Sequence, residues 1–312
     1  MSGRGARWQL RRAIWALTPP VLLALVRRGA RKLGLGVAPA PPPAEPAVAA
    51  PAPAPPEPAL PPHWEYVPEG FDRPAKGWNV AAISDAYREK WPSYLAAIEG
   101  TTPLGVNHEM PRGMDVGFED LAAHNTIVSY AYVLALAARG RDRISLLDWG
   151  GGIGHYLPLS RAILPDVEID YHCKDVPVLA AHGRELFGEA TFYDDDACLQ
   201  GTYDLVLASS SVHYAADWQA TLTGLAGATA GLLFVTRVPV ALLAPSFVVL
   251  QRAYDYGYDT EYLGWVLHRD ELLSVAGAAG VTLMREFLLA DQIAADGAPE
   301  TPVGHRGFLF AR

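Results

Sequence analysis

The apolar positions of this chain change period several times after residue 118, and each change marks an element. The stretch "FEDLAAHNTIVSYAYVLALAARG" carries a helical pattern and is followed by the unbroken apolar run "ISLLDW", a buried strand. "HYLPLSRAIL" is helical, "VEIDYHCKD" alternates as a strand does, and "VPVLAAHGRELFG" is helical again. "ATFYDDD" ends a short strand, "YDLVLASSS" is a strand, "ADWQATLTGLAGA" a helix and "GLLFVTRV" a strand. Late in the chain come the helix "RDELLSVAGAAG" and the strands "VTLMREFLL" and "HRGFLFAR". Such alternation predicts an α/β fold with a mostly parallel, doubly wound sheet, whose ligands bind at the carboxyl ends of the strands.

Upstream, the pattern divides the chain into three further parts. Residues 1–36 hold eight of the 25 Lys and Arg and no acid, and their apolar run from Ile14 to Val26 is shorter than a membrane span needs. Arg4, Arg7 and Arg11 share one helical stripe and Leu10, Ile14 and Leu17 another, which predicts a basic amphipathic segment lying on the inner, anionic face of a membrane. A docking helix and a signal peptide remain open, although Arg27, Arg28, Arg31 and Lys32 stand where a cleavage site belongs. Residues 37–62 contain 12 prolines among alanines and cannot build a core, so they read as a disordered, extended linker. Residues 63–119 read as an N-terminal cap or flank, with a helix from about Ser84 to Glu99 interrupted at Pro92, and with Trp and Tyr residues that serve packing. Residues 120–312 form the remaining domain.

Composition narrows the function. Beyond residue 36, 17 basic residues face 34 acidic ones, which argues against a nucleic-acid groove. Cys173 and Cys198 lie in stretches that read as buried and show no metal-ligand spacing, so no metal is expected and a reducing cytoplasm fits.

The candidate chemistry starts where "ISLLDW" ends. Gly150, Gly152 and Gly154 give G-x-G-x-G, with Gly151 between, and His155 stands where a nicotinamide fingerprint needs its third glycine. Asp148 precedes the glycines at the strand end and would repel a pyrophosphate. A cofactor with a cationic head tolerates it, and S-adenosylmethionine offers an ammonium and a sulfonium. Asp175 ends the next strand, 21 residues past Gly154, where it can accept hydrogen bonds from ribose hydroxyls. Asp195, with Asp194 beside it, is placed to hold an adenine amino group. Ser209, Ser210 and Ser211 offer hydroxyls at the end of the following strand, and Tyr214 is expected to border the methionine tail of such a cofactor.

The D-x-G-x-G-x-G motif, "KDVPVLAAHGREL" and "YDLVLASSSVHY" together resemble the class I S-adenosylmethionine-dependent methyltransferases, over about residues 120–312. More narrowly, "LTPP", "DWGGGIGHY" and "SSSVHY" resemble a methyltransferase family associated with bacterial surface-polysaccharide loci, whose substrates are largely unassigned. The resemblance implies a Rossmann-like, seven-stranded sheet, S-adenosylmethionine as cofactor, and a small-molecule, glycan or glycolipid acceptor. A hydroxyl acceptor needs a general base. His213, just past the fourth strand, and His155, at the start of a helix, are the candidates, each with a packing role as the alternative. Tyr254, Tyr258 and Tyr262 would share a helical face, or Tyr254, Tyr256 and Tyr258 a strand face, in a long aromatic connection suited to sugar stacking. Two other classes stay open: a nucleotide-sugar or nicotinamide enzyme, and a non-catalytic module that keeps the cofactor fold while tethered at a membrane.

Overall fold

The computed structural model describes residues 62–101, 103, 104 and 121–312. The expectations for residues 1–36, for nearly all of the linker and for 105–120 lie outside the described residues. The chain begins with β1 (Trp64–Tyr66) and α1 (Ala81–Glu99), followed by α2 (Leu121–Ala137). An alternating series comes next: β2 (Arg143–Trp149), α3 (Tyr156–Ile163), β3 (Glu168–Lys174), α4 (Pro177–Leu186), β4 (Thr191–Tyr193), β5 (Tyr203–Ser209), α5 (Trp218–Gly227) and β6 (Thr229–Ala241). The last part holds β7 (Phe247–Arg252), β8 (Glu261–His268), α6 (Arg269–Ala278), β9 (Thr282–Ile293) and β10 (Val303–Ala311).

All strands described belong to one sheet of ten rather than seven. Strands β4, β3, β2, β5 and β6 run parallel in that spatial order. β10 pairs antiparallel with β6, and β9 antiparallel with β10. The other three, β1, β7 and β8, form an antiparallel ribbon joined to the end of β6, where Val240 and Ala241 pair with Leu267 and His268. The stretch expected to be a long aromatic connection is this ribbon. Its signal is hard to separate from a loop, because the two short apolar runs flank "AYDYGYDT" without a tight-turn dipeptide.

The central strands of the sheet are buried on both faces, successive residues packing on opposite layers. Leu147, Val206, Ala208, Leu233 and Val235 face α5 and α6, packing on Trp218, Leu222 and Leu272. Their neighbours Leu146, Leu205, Leu207 and Phe234 face α2, α3 and α4, against Tyr130, Leu134, Leu157 and Ala180. Each such aliphatic side chain contributes about 1.5–3 kcal/mol when fully buried. Cys173 and Cys198 are free thiols inside these layers.

α1 runs unbroken through Pro92, which the pattern had placed as an interruption. Its packing compensates: Ile83, Ala86 and Tyr87 join Ile153 of the glycine loop, Leu179 and Tyr258 in one buried cluster. Proline inside a helix removes one hydrogen bond, and tertiary burial outweighs that loss here.

Leu233 sits at the centre of β6 with no exposed surface, between β5 and β10. Leu233→Ala should lower the free energy of unfolding by about 2–5 kcal/mol, read by urea denaturation.

Candidate cofactor site

The cleft lies at the carboxyl ends of β2, β3 and β5, beside the point where strand order reverses between β2 and β5. It encloses about 220 Å³, with Gly150, Gly151 and Gly152 as its floor. Gly150 and Gly152 have φ of +73° and +62°, a left-handed conformation that glycine adopts without strain. A Cβ on Gly150 would also lie 2.3 Å from the Ser211 Cβ, so the loop lies hard against the segment after β5.

Asp175 holds this loop. Its Oδ2 accepts the Gly152 N–H at 2.7 Å and its Oδ1 accepts the Val176 N–H at 2.7 Å. Each oxygen retains a lone pair for a ligand hydroxyl, and the side chain lines the cleft. Burial raises its pKa, while the two backbone N–H groups and Lys174 oppose that shift.

Asp148 is placed differently from the expectation. It belongs to the β2 face that carries Ile144 and Leu146, so its carboxyl turns into the core under the loop instead of lining the cleft. Tyr171 donates its hydroxyl proton to Oδ2, whereas Oδ1 is buried without a hydrogen-bond partner. A Cβ on Gly151 would stand 2.3 Å from Oδ2, which explains why the loop can close over this carboxyl only as glycine. Burial pushes the Asp148 pKa up to about 7; the Tyr171 hydrogen bond opposes the shift and repulsion from Asp175 adds to it.

The remaining sequence candidates divide. Ser209, Ser210 and Tyr214 line the cleft, as does Ser211. Ser209 Oγ is 2.9 Å from the Tyr156 hydroxyl, and Tyr214 donates to Gln251 Oε1 at 2.9 Å. Gly154 does not line the cleft; its position abuts Phe187 and Phe192. Asp194 instead pairs with Arg184 at 3.3 Å. Asp195 caps a 3-10 turn by accepting the Ala197 N–H at 3.0 Å. Both side chains follow the end of β4 at Tyr193, which pairs with the cleft-lining Lys174, yet they turn to local partners and do not line the cleft.

The two histidines also separate. His155 lines the cleft between the rings of Tyr87, Trp91 and Tyr94, and burial pushes its pKa down to about 3, so the imidazole is neutral. His213 is fully buried behind Tyr214, with neither ring nitrogen hydrogen-bonded, and does not line the cleft. Burial lowers its pKa well below the usual histidine range. A neutral ring in this position packs; it does not reach a ligand.

Trp78, Tyr87, Trp149, Lys174 and Arg237 line the cleft and were not singled out by the sequence. Trp78 and Tyr87, from the flank whose aromatics the sequence favours for packing over ligand contact, pack in one cluster and also line the cleft. Lys174 Nζ lies 4.1 Å over the Trp149 ring. Their spacing carries no motif, since they come from four separate elements and one connection. Tyr258 and Tyr262 are buried and Tyr254 is exposed, so neither a helical nor a strand face of tyrosines forms; a 3-10 turn spans Tyr254–Tyr256. Among the described residues no group of His, Cys, Asp and Glu is arranged to hold a metal ion, and no helix is long and apolar enough to cross a membrane.

No family model matches the chain, and no curated protein matches it. Solved structures with a similar fold include magnesium protoporphyrin IX methyltransferase from Synechocystis PCC 6803 with bound SAM, at 14% identity and a TM-score of 0.44, over 76% of this chain and 100% of that one. Another is the 1,6-didemethyltoxoflavin-N1-methyltransferase of Burkholderia thailandensis, bound to 1,6-didemethyltoxoflavin and S-adenosylhomocysteine, at 13% identity and a TM-score of 0.41, over 76% of this chain and 93% of that one. The cyclase SpnF is similar at 13% identity and a TM-score of 0.43, over 74% of this chain and 96% of that one.

Proposed function

We propose that this chain is a class I S-adenosylmethionine-dependent methyltransferase acting on a hydroxyl of a small molecule, glycan or glycolipid. The observation that carries the reading is the bare glycine floor at the strand ends, held open by the Asp175 carboxylate. The residues fit a sulfonium nucleoside. Asp175 has lone pairs left for ribose hydroxyls, Trp149 and Tyr156 offer ring surface, and the Asp148 carboxyl beneath the loop adds negative potential once ionised. Such a cofactor supplies a methyl group already activated for displacement.

The protein's own contribution is alignment. The loop amides and Asp175 fix one ligand, while Trp78, Ser210, Tyr214 and Arg237 form a wall shared with a neighbouring chamber where an acceptor would sit. Holding two reactants about 3 Å apart in line accounts for much of such a rate enhancement. The aromatic lining of that chamber supports a ring-bearing acceptor, in keeping with the resemblance to polysaccharide-locus enzymes. The basic and apolar stripes of residues 1–36 support a peripheral position at the inner membrane face.

The full chain should bind S-adenosylmethionine or S-adenosylhomocysteine in calorimetry. Asp175→Ala should weaken binding by about 1–3 kcal/mol through lost hydrogen bonds to a charged acceptor. Equal binding of NADH, with no response to either nucleoside, would overturn the reading.

A second expectation follows from Asp148, whose carboxyl titrates near pH 7, far above its unfolded value of 3.8. A carboxyl with a raised folded pKa attracts a cationic ligand only after it ionises. Affinity for S-adenosylmethionine should therefore rise as pH goes from about 6 to about 8, and Asp148→Asn should flatten that rise. The same raised pKa makes wild-type stability fall across pH 4–7, because only the unfolded state releases the proton there.

A further inference from the structure

The chamber beside the cofactor cleft encloses about 370 Å³. Its walls include Trp64, Tyr256, Tyr258 and Tyr262, and its polar groups include Arg237, Gln251, Asp291 and His305. Arg237, Asp291 and His305 come from three strands, β6, β9 and β10, and the first two of these depart from regular geometry. β6 bulges at Thr236 and Arg237, opposite Gly307 of β10, and Arg237 has φ of +56°. A Cβ on Gly307 would come within 2.9 Å of Thr236 Oγ1, so glycine is what lets the bulge pack. β9 loses register with β10 between Leu288 and Gln292, and Ala290 has φ of +59°. The second irregularity sets Asp291 Oδ2 3.0 Å from His305 Nδ1, a close contact outside hydrogen-bond angles. Ser210, on the wall between chamber and cleft, has φ of +51°. Non-glycine residues in the left-handed region carry strain, and such strain collects at functional sites.

Resting on the methyl-transfer reading, we propose that this chamber holds the acceptor as a hydroxyl-bearing ring and that His305, positioned by Asp291, removes the hydroxyl proton. Nδ1 is buried against Asp291, which leaves Nε2 as the nitrogen that serves the chamber. In the step, the acceptor O–H bond breaks and its proton passes to Nε2. The electron pair on oxygen forms the bond to the methyl carbon, while the carbon–sulfur bond breaks and leaves its pair on sulfur. The imidazolium then lies beside the Asp291 carboxylate. His305 itself holds Asp291 below the usual carboxylate range, and Arg237 adds to that effect. The charged and titratable groups sharing the chamber are Arg237 from β6, Asp291 from β9, His63 ahead of β1 and the tyrosines. His213 lines neither space and plays no part in the transfer. A pair that merely joined β9 to β10 would give no reason for the β6 bulge that brings Arg237 to the same chamber.

The test uses 4-nitrophenol as the probe, added to the full chain saturated with S-adenosylhomocysteine, with phenolate read by its absorbance. Proton transfer to His305 predicts about tenfold more phenolate in wild type than in His305→Gln at the same pH and occupancy. Asp291→Asn should lose part of that excess while keeping the histidine. It also serves as the second variant should His305→Gln fold poorly. Equal phenolate in wild type and both variants, or no binding of the probe, would overturn the proposal. Failure of S-adenosylhomocysteine to bind is a separate result against the cofactor reading, and the phenolate comparison is then made without it.

Discussion

A carboxyl group buried under a backbone loop is the constraint on which the cleft of this protein depends. Asp148 ends β2 on its core-facing side, where it is removed from water and held by the Tyr171 hydroxyl. No side chain fits between it and the chain that folds over it, so the loop above must be glycine at Gly151. Burial without a full set of partners is costly, and Oδ1 has none among the described residues. The loop is therefore stretched between two carboxyls of different kinds. Asp148 lies below it, its pKa raised by burial, and Asp175 grips the Gly152 amide from the cleft side.

α1 closes the arrangement. Tyr87, Trp91 and Tyr94 surround His155, and the Tyr94 hydroxyl donates to the His155 carbonyl at 2.6 Å. The exit from the glycine loop is thus fixed by a helix distant in sequence, and the imidazole is kept neutral by the same packing. This explains why a histidine that lines the cleft contributes shape and ring surface more than charge.

The other side of the cleft is built by irregular strands. β6, β9 and β10 each continue past the parallel core, and their bulges direct Arg237 and Asp291 toward one chamber while the antiparallel ribbon supplies its aromatic wall. The long β6 connects both parts, pairing with β5 and β10 along its length and with β8 at its end. Rigid strands, instead of a loop, therefore carry the polar groups of the second chamber, which suits a task that needs fixed distances.

The sequence alone determined the alternating α/β order and the position of the glycine loop. Those features depend on local periodicity and on backbone conformations that few residues other than glycine take, as at Gly150 and Gly152. It also singled out Asp175, because a strand-end acid lies at a fixed offset from the loop. Tertiary structure decided what local pattern does not encode. Asp148 and Asp175 are both strand-end acids of the same parity, yet Asp148 is still inside β2, in register with Cys173 under the loop, whereas Asp175 lies two residues further on, past the end of β3, where it reaches the cleft. His213 and His305 differ in the same way: His213 is fully buried and lines neither space, whereas His305 lines the chamber with a carboxylate at 3.0 Å that the β9 irregularity brings there. Trp78, Tyr87 and Arg237 reach the cleft from residues far apart in the chain. Their meeting comes from long-range pairing and packing, which a periodicity read over a few residues does not contain.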